Sequence, residues 1–365
     1  MVFKKDIFKK IKNNIMQLSV SLLDWFDKNK RELPFRENRS PYIIWISEVM
    51  LQQTKVDTVI PYFNSWIKKF PNINFVAKAS EESILKSWEG LGYYSRCRNF
   101  HMAAKIIVND YGSKIPEDWE TFRSLPGVGD YTAGAVLSIA FNKNYVAIDG
   151  NVKRVVSRIL GRKKLSKYNL NYIKSFLLKN MDRNRAGDFN EAMMELGACI
   201  CLPKLPKCRR CPIKSFCIGY KSGHPNEYPL KIVKKIIPFH TFVGGIIRFE
   251  KKILIQKRDG QMLNGLWEIP MKKINLKNNH IEFFKKHIFD KYGYTISFKK
   301  IISEVEHVYS HFKMKLIVID FINCDDVKNT GNSFSWISKR DIDRYAFHRA
   351  NHKVFKLFKS FNWDV

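Results

Sequence analysis

Four cysteines stand in one short stretch of the chain, Cys201, Cys208, Cys211 and Cys217, spaced C-x6-C-x2-C-x5-C and interleaved with Pro203, Pro206 and Pro212. Prolines at that density mark a loop that something other than helix or strand must hold in shape. Four thiolates so close together can enclose one metal centre, because thiolate is the soft ligand that both iron–sulfur clusters and zinc accept. The gaps do not make two matched CxxC knuckles, which suits a zinc ribbon poorly. Spacing therefore favours a cubane [4Fe–4S] cluster, and leaves zinc, a disulfide pair or unrelated buried thiols as alternatives. Lys204, Lys207, Arg209, Arg210 and Lys214 lie in the same loop. A metal-stapled loop this cationic reads as a structural element facing phosphate rather than a redox relay.

The charge of the whole chain agrees. Across 365 residues, 64 Lys and Arg outnumber 34 Asp and Glu, a formal charge of +30 spread along the length. A lysine-rich genomic bias accounts for part of it. Such a field nevertheless attracts polyanions, nucleic acid first and a membrane surface second. No run of eighteen apolar residues exists and no secretory h-region follows Met1, although Met1–Asn14 reads as a basic amphipathic helix start. Seven cysteines, four of them in one motif, point to a reducing compartment.

The chain is long enough for two or three domains. Residues 1–220 read as helical, with apolar residues at helical period in Ile43–Leu51, Ile84–Trp88, Met102–Val108, Ala133–Ile139, Val152–Ile159 and Phe189–Leu196. Residues 221–238, with Pro225, Pro229, Pro238 and several lysines, read as a linker. From 239 to 365 the pattern changes. Thr241–Phe249 and Lys252–Lys257 are β-type runs split at Glu250–Lys251, and Ile301–Tyr309 and Lys313–Ile322 follow a helix around Ile281–Tyr292. Asp341–Phe361 reads as a closing helix.

Two short motifs in the helical part carry chemistry. Leu125-Pro-Gly-Val-Gly-Asp130 lies between helical segments, and its Gly127, Val128 and Gly129 make a tight turn at a helix N-terminus. There, backbone N–H groups can meet a phosphate, although a plain helix–helix connection reads equally well. Ile148-Asp-Gly-Asn-Val152 puts Asp149 before a helix, where an N-cap is its ordinary role. A cap does not need the Gly150–Asn151 pair after it, nor Lys153 and Arg154 beside it.

Taken together, the motifs resemble the helix–hairpin–helix DNA glycosylases with an iron–sulfur cluster, in particular their adenine-excising branch. The likeness rests on Leu33-Pro-Phe-Arg36, the segment Pro41–Thr54, Trp88-Glu-Gly-Leu-Gly-Tyr-Tyr-Ser-Arg96, Leu125–Ala133, Ile148–Val152 and the four cysteines, and covers nearly all of residues 1–220. It implies a mainly α helix–hairpin–helix glycosylase domain with a [4Fe–4S] loop over 201–217, binding double-stranded DNA. It further implies that Glu48 protonates adenine N7, worth roughly 10²–10⁴-fold. Trp45, Ile46, Val49 and Met50 around it predict a raised carboxyl pKa. Asp149 would stabilise the oxocarbenium ion at the sugar, possibly through a covalent adduct, with Tyr131 and Asn151 supporting that charge and positioning water. Arg36 and Glu191 would line the base pocket, with Glu195 on the same helix as a competing acid. Gln53 and Tyr93 would wedge into the duplex, helped by Leu51, once the base is flipped out.

The related endonuclease III-type enzymes, which excise oxidised pyrimidines, carry a lysine eighteen residues before the catalytic Asp; here that position is Tyr131. The resemblance therefore implies a monofunctional glycosylase without strand cleavage. An endonuclease III-type activity and a non-catalytic iron–sulfur DNA-binding protein are the alternatives. The C-terminal part resembles a mixed α/β Nudix fold through Gly265-Leu-Trp-Glu-Ile-Pro270. Its helix Ile281–Gly293 is basic and lacks the carboxylate run that holds Mg²⁺, which implies recognition rather than hydrolysis. In the family this domain inspects the base opposite adenine, 8-oxoguanine or guanine, through a Phe-Ser-His turn. The matching residues are Tyr309, whose ring would keep the stacking role, Ser310, which would hydrogen-bond the oxidised base, and His311. A cytoplasmic, nucleoid-associated monomer is the setting these expectations imply.

Overall fold

The computed structural model describes residues 17–164, 166–230, 236–260, 262–275, 279–309, 311–327 and 333–358. The chain divides into two compact units, Met1–Lys78 with Asn99–Val233, and Ala79–Arg98 with Lys234–Val365. The expected helix at Met1–Asn14 lies outside the described residues.

The first unit is helical. A helix over 17–29 packs Leu22 and Phe26 against Val152, Val156 and Ile159 of the Gly150–Ile159 helix, and against Phe189, Met193 and Leu196 of the Ala186–Cys199 helix. Each such side chain contributes about 1.5–3 kcal/mol by leaving water. Nearly all of the Pro41–Leu51 helix is buried, which explains its almost continuous apolar sequence. It starts cleanly because Ser40 caps Ile43 N–H and Pro41 needs no donor. Close helix approach depends on glycine at one position in particular: a Cβ at Gly134 would lie 2.2 Å from the Val146 carbonyl oxygen. All the apolar segments singled out in this unit's sequence lie within helices. Helices at Val56–Lys69 and Lys167–Asn180 also form; the first carries Pro61 in its interior, which breaks the expected pattern.

The second unit holds a seven-stranded sheet: β1 (Phe239–Phe249), β2 (Lys252–Lys257), β3 (Trp267–Glu268), β4 (Met271–Lys273), β5 (Ile296–Val308), β6 (Lys313–Asn323) and β7 (Phe334–Ser338). Its main order is β3-β2-β1-β6-β5, with β4 paired to β1 and β7 to β2. Among the described strands, only the β1–β6 pairing is parallel. Both faces are covered. Val243, Ile247, Leu254 and Phe321 meet Phe284 and Ile288 of the His280–Tyr292 helix. Ile246, Ile253 and Ile255, one residue out of step, meet Val354 and Phe355 of the Arg349–Phe358 helix. The closing helix is shorter than expected. Lys339–Arg344 is a 3-10 turn, and Ala346 accepts a 2.8 Å bond from Trp267 N–H while Phe347 bridges Trp267. The α-helix starts only at Arg349, because sheet pairing takes the preceding backbone. Residues 359–361 of the expected helix lie outside the described residues.

Candidate active site

Glu48 projects from the Pro41–Leu51 helix and is 6% exposed. Tyr131, in the first turn of the Asp130–Phe141 helix, donates its hydroxyl to Glu48 Oε2 and lies 3.5 Å from Met194 Sδ. Burial raises the Glu48 carboxyl, the Tyr131 hydroxyl opposes that rise, and the charges of Glu191 and Asp149 add to it. The outcome is about 7, as the apolar neighbours in sequence predicted. Burial also keeps the Tyr131 hydroxyl firmly protonated. A carboxyl poised near neutral pH can hand a proton to a bound base.

Asp149 caps the Gly150–Ile159 helix, so its ordinary role is real: Oδ1 accepts Val152 N–H at 2.7 Å. Its other oxygen accepts Asn151 Nδ2 at 3.0 Å. Burial raises its pKa against these donors. Asn151 is held in turn by Arg154, whose Nη2 reaches Asn151 Oδ1 at 2.9 Å and Gly197 O at 2.8 Å. Gly197 makes room for it, since a Cβ there would lie 2.6 Å from Asn151 Cβ.

A charged wall adjoins these residues. Arg36 Nε donates to Glu191 Oε1 at 2.9 Å and its Nη2 to Glu195 Oε2 at 2.9 Å. Both acids that sequence left in competition are therefore engaged by one arginine. Arg31 adds a bidentate pair to Glu195, and Arg39 bonds Glu191 Oε2 at 2.7 Å. Burial alone would raise Glu195, but Arg31 and Arg36 outweigh it and hold the carboxyl at about 2. For Glu191 burial wins, and its pKa rises despite Arg36 and Arg39. Arg31 and Arg39 were missed in sequence; their three- to five-residue spacing from Arg36 was the available signal.

In the hairpin, Gly127 has φ +78, and a Cβ there would meet Asn99 Cβ at 2.7 Å. Val128 is buried and Gly129 caps the next helix. The Val128 amide is turned back onto Leu125 O at 3.1 Å, so that group is spent inside the turn rather than presented outward. Leu51 is half-buried at the end of its helix. Gln53 and Tyr93, in different units, are both exposed and both hold the left-handed backbone, with φ 56 and φ 49. Non-glycine residues pay a strain of order 1 kcal/mol there, and such strain collects at functional positions. His311 is exposed, and Ser310 lies outside the described residues. Tyr309 is half-buried: its ring packs against His307 and Phe312, and its hydroxyl lies 3.1 Å from His348 Nδ1.

Cys201, Cys208, Cys211 and Cys217 line one small cavity with Arg158, Ile200 and Tyr220. Arg158 is buried and donates to Cys201 Sγ at 3.2 Å and to Leu202 O at 2.7 Å. Arg154 Nε donates to Cys201 O at 2.9 Å. Arg154 and Arg158 sit one helical turn apart on the Gly150–Ile159 helix, the spacing that puts two side chains on one face. Among the described residues no group of three or more His, Cys, Asp or Glu is gathered as the ligands of a single ion. Four thiols around a shared cavity, with a buried guanidinium beside them, suit a larger anionic centre better than one bare ion. Cys199 points away, toward Glu195 Oε1 at 3.5 Å, and is not among the residues lining the cavity.

The comparisons with known proteins agree with this geometry. Residues 46–173 match the HhH-GPD superfamily of base excision DNA repair proteins and residues 242–357 match a NUDIX domain. A thermostable thymine-DNA glycosylase of known structure is 28% identical with a TM-score of 0.54, covering 57% of this chain and 98% of that one. The chain thus has the fold of a helix–hairpin–helix base excision glycosylase, joined to a Nudix domain. An adenine DNA glycosylase of Buchnera aphidicola (subsp. Schizaphis graminum) is 34% identical over 94% of this chain and 99% of its own length. The human adenine DNA glycosylase is 44% identical over 93% of this chain and 73% of its own length. The chain belongs to the adenine DNA glycosylases, enzymes of base excision repair. Its substrate is DNA. Among the described residues, no helix is long and apolar enough to cross a membrane.

Proposed function

We propose that this glycosylase removes adenine paired with 8-oxoguanine or guanine, by hydrolysis and without cutting the strand. The observation that carries the reading is Glu48: a buried carboxyl near its midpoint at neutral pH, touching Tyr131 and close enough to Asp149 to feel its charge. Glu48 protonates the leaving base, and Asp149, ionised and fixed by Val152 N–H and Asn151, stabilises the positive sugar. Tyr131 holds Glu48 in place, and Asn151 keeps Asp149 aimed. Arg36 and Glu191 face the base, Gln53 and Tyr93 with Leu51 fill its vacated place in the duplex, and Gly127–Gly129 meet the backbone. With a tyrosine hydroxyl at 131 no amine is present there to attack the sugar, which supports release of the base alone.

The four cysteines hold a [4Fe–4S] cluster that staples the 201–217 loop, with Arg158 offsetting its negative charge. Residues 1–220 excise and 239–365 inspect the opposite base through Ser310 and His311. The His280–Tyr292 helix, with Glu282 and Asp290 as its only acids, lacks the carboxylate run needed for metal-dependent hydrolysis. The test is excision from duplexes carrying A opposite 8-oxoguanine, G, C and T, with strands examined before and after alkali. The expected result is excision opposite 8-oxoguanine and G with strand breaks only after alkali. Equal excision opposite all four bases, or breaks without alkali, overturns it. Purified protein should also be brown with about four irons per chain; stoichiometric zinc without iron would replace the cluster assignment.

A further inference from the structure

The helix that carries Glu48 ends in a turn whose shape its sequence does not favour. Helix Pro41–Leu51 stops at Leu51, and Gln52 leaves it with φ -56 and ψ 113. Gln53 follows at φ 56, and Thr54 N–H closes the turn on Leu51 O at 3.2 Å. Those angles and that bond make a type II turn, whose third position ordinarily belongs to glycine because its φ is positive. Gln53 occupies that position instead. It is exposed, while Leu51, Gln52 and Thr54 are half-buried. A long polar side chain is thus held out from the surface on backbone that glycine would suit better. Such a conformation lasts only where the surroundings over-determine it.

Gln52, at the corner of the turn, supplies a tie. Its Nε2 donates to Thr132 Oγ1 at 3.1 Å. Thr132 is 1% exposed and lies in the first turn of the Asp130–Phe141 helix, whose N-cap is the hairpin residue Gly129. The residue before it is Tyr131, which donates its hydroxyl to Glu48 Oε2. Two side-chain bonds therefore join the same two helices at neighbouring points. One runs through the acid, the other through the turn that carries Gln53. Both helices are buried along most of their length, and close-packed elements transmit a displacement rather than absorb it.

We propose that Gln52 and Thr132 are positioning residues for the wedge: their hydrogen bond holds the Leu51–Thr54 turn in the strained form that presents Gln53 to the duplex. The inference rests on the wedge reading of Gln53 given above. Extruding a base leaves a gap in the stack, and the base stays in its pocket only while the gap is filled. Without the bond, the turn relaxes toward forms with negative φ at Gln53, which aim the side chain elsewhere. The gap then stands open more of the time and the adenine returns to the stack before it is cut. The threonine hydroxyl, not the size of the side chain, is the part that acts. Because Thr132 follows Tyr131 on one helical turn, the wedge is seated on the same element that holds the acid.

The experiment uses the full-length chain with Thr132→Val, Thr132→Ser, Gln53→Gly and the double variant of Gln53→Gly with Thr132→Val. Valine keeps the shape of threonine and loses the hydroxyl; serine keeps the hydroxyl. Single-turnover excision is measured at saturating enzyme on a duplex with A opposite 8-oxoguanine, alongside the fluorescence of 2-aminopurine beside the target adenine as a readout of unstacking. Thr132→Val should slow excision about three- to tenfold, the size of one lost hydrogen bond, with a matching loss of the fluorescence change. Thr132→Ser should stay within about twofold of the unaltered chain in both. Added to Gln53→Gly, Thr132→Val should cost less than about twofold more, since the bond acts through Gln53. Serine as slow as valine makes the role one of packing and overturns the proposal, as do multiplying losses in the double variant or no loss in Thr132→Val. If Thr132→Val fails to fold, Gln52→Met, which removes the donor from a half-buried position, decides by the same comparison with Gln53→Gly. Unchanged excision and unstacking in Gln53→Gly defeats the wedge reading itself and the proposal with it; failure of the proposal alone leaves Gln53→Gly slow.

Discussion

Two of the glutamates this chain buries, Glu48 in the first unit and Glu268 in the second, have opposite fates. Glu48 is 6% exposed and Glu268 is 3% exposed, so water is withdrawn from both almost equally. Around Glu48 stand apolar side chains and one neutral hydroxyl, with two further carboxylates close by, and its pKa climbs to about 7. Around Glu268, burial pushes the same way, but His348 and Arg258 outweigh it, with Gln256 donating at 2.8 Å, and the carboxyl stays below its ordinary range. Burial sets the size of the stress; the charge of the partners sets its direction. One glutamate becomes a proton donor and the other a structural anion, and only the first arrangement suits leaving-group protonation.

The largest test of that contrast is Glu48→Gln. The amide keeps the shape and loses the proton, so excision should fall by ~10² or more while affinity for the mispaired duplex changes little. Retention of more than about a tenth of the wild-type single-turnover rate would remove Glu48 from the acid role. Asp149→Asn should cost a similar factor for the opposite reason. Asparagine still caps the Gly150–Ile159 helix, so circular dichroism should be unchanged while the charge at the sugar is gone. An active Asp149→Asn enzyme would leave the aspartate as a cap and nothing more.

Most of this contrast was legible in sequence on the Glu48 side and little of it on the Glu268 side. Glu48 sits within one continuous helical segment that is buried from Tyr42 to Met50, so the apolar run on both sides of it in sequence signals its burial. The cysteine loop is similarly local. Glu268, His348, Arg258 and Gln256 come together only because β2, β3 and the stretch before the last helix meet, and no local spacing encodes that. The same holds for β3, β4 and β7, which are too short or isolated to show a two-residue period, and for the late start of the last helix. The contact of Tyr309 with His348 was not legible either, because a turn residue's side-chain direction depends on what lies beneath it. The attachment of Ala79–Arg98 to the sheet unit also depends on long-range pairs, such as Glu89 with His352.

A smaller effect sharpens the comparison through pH. Excision needs the protonated form of Glu48, so the single-turnover rate should decline as pH rises through about 7, approaching tenfold per pH unit beyond it. Glu191→Gln removes one of the charges that raise Glu48, so the decline should move to lower pH. A rate flat from pH 6 to 9 (a range spanning roughly one to two units either side) would mean that no acid of this kind limits the step.

The smallest effect is on stability, and its sign differs between the two glutamates. Glu48 titrates at about 7 in the fold against an ordinary 4.5, so its contribution is fully present below 4.5 and is lost as pH rises through 7. Glu268 is depressed, so its contribution is present above the ordinary carboxyl range and lost only on acidification. At pH 8, Glu48→Gln should therefore raise the melting temperature by a few degrees, from roughly 1–3 kcal/mol of relieved charge burial. That advantage should shrink as pH falls from 7 toward 4.5, where the wild-type carboxyl is itself neutral. Glu268→Gln should lower the melting temperature at pH 8, since Arg258 and His348 lose a charged acceptor worth roughly 1–3 kcal/mol. Two scans of each variant, at pH 8 and pH 5, are enough. If both substitutions destabilise at pH 8, Glu48 has a favourable partner, and its role as an uncompensated acid fails along with the difference between the two sites.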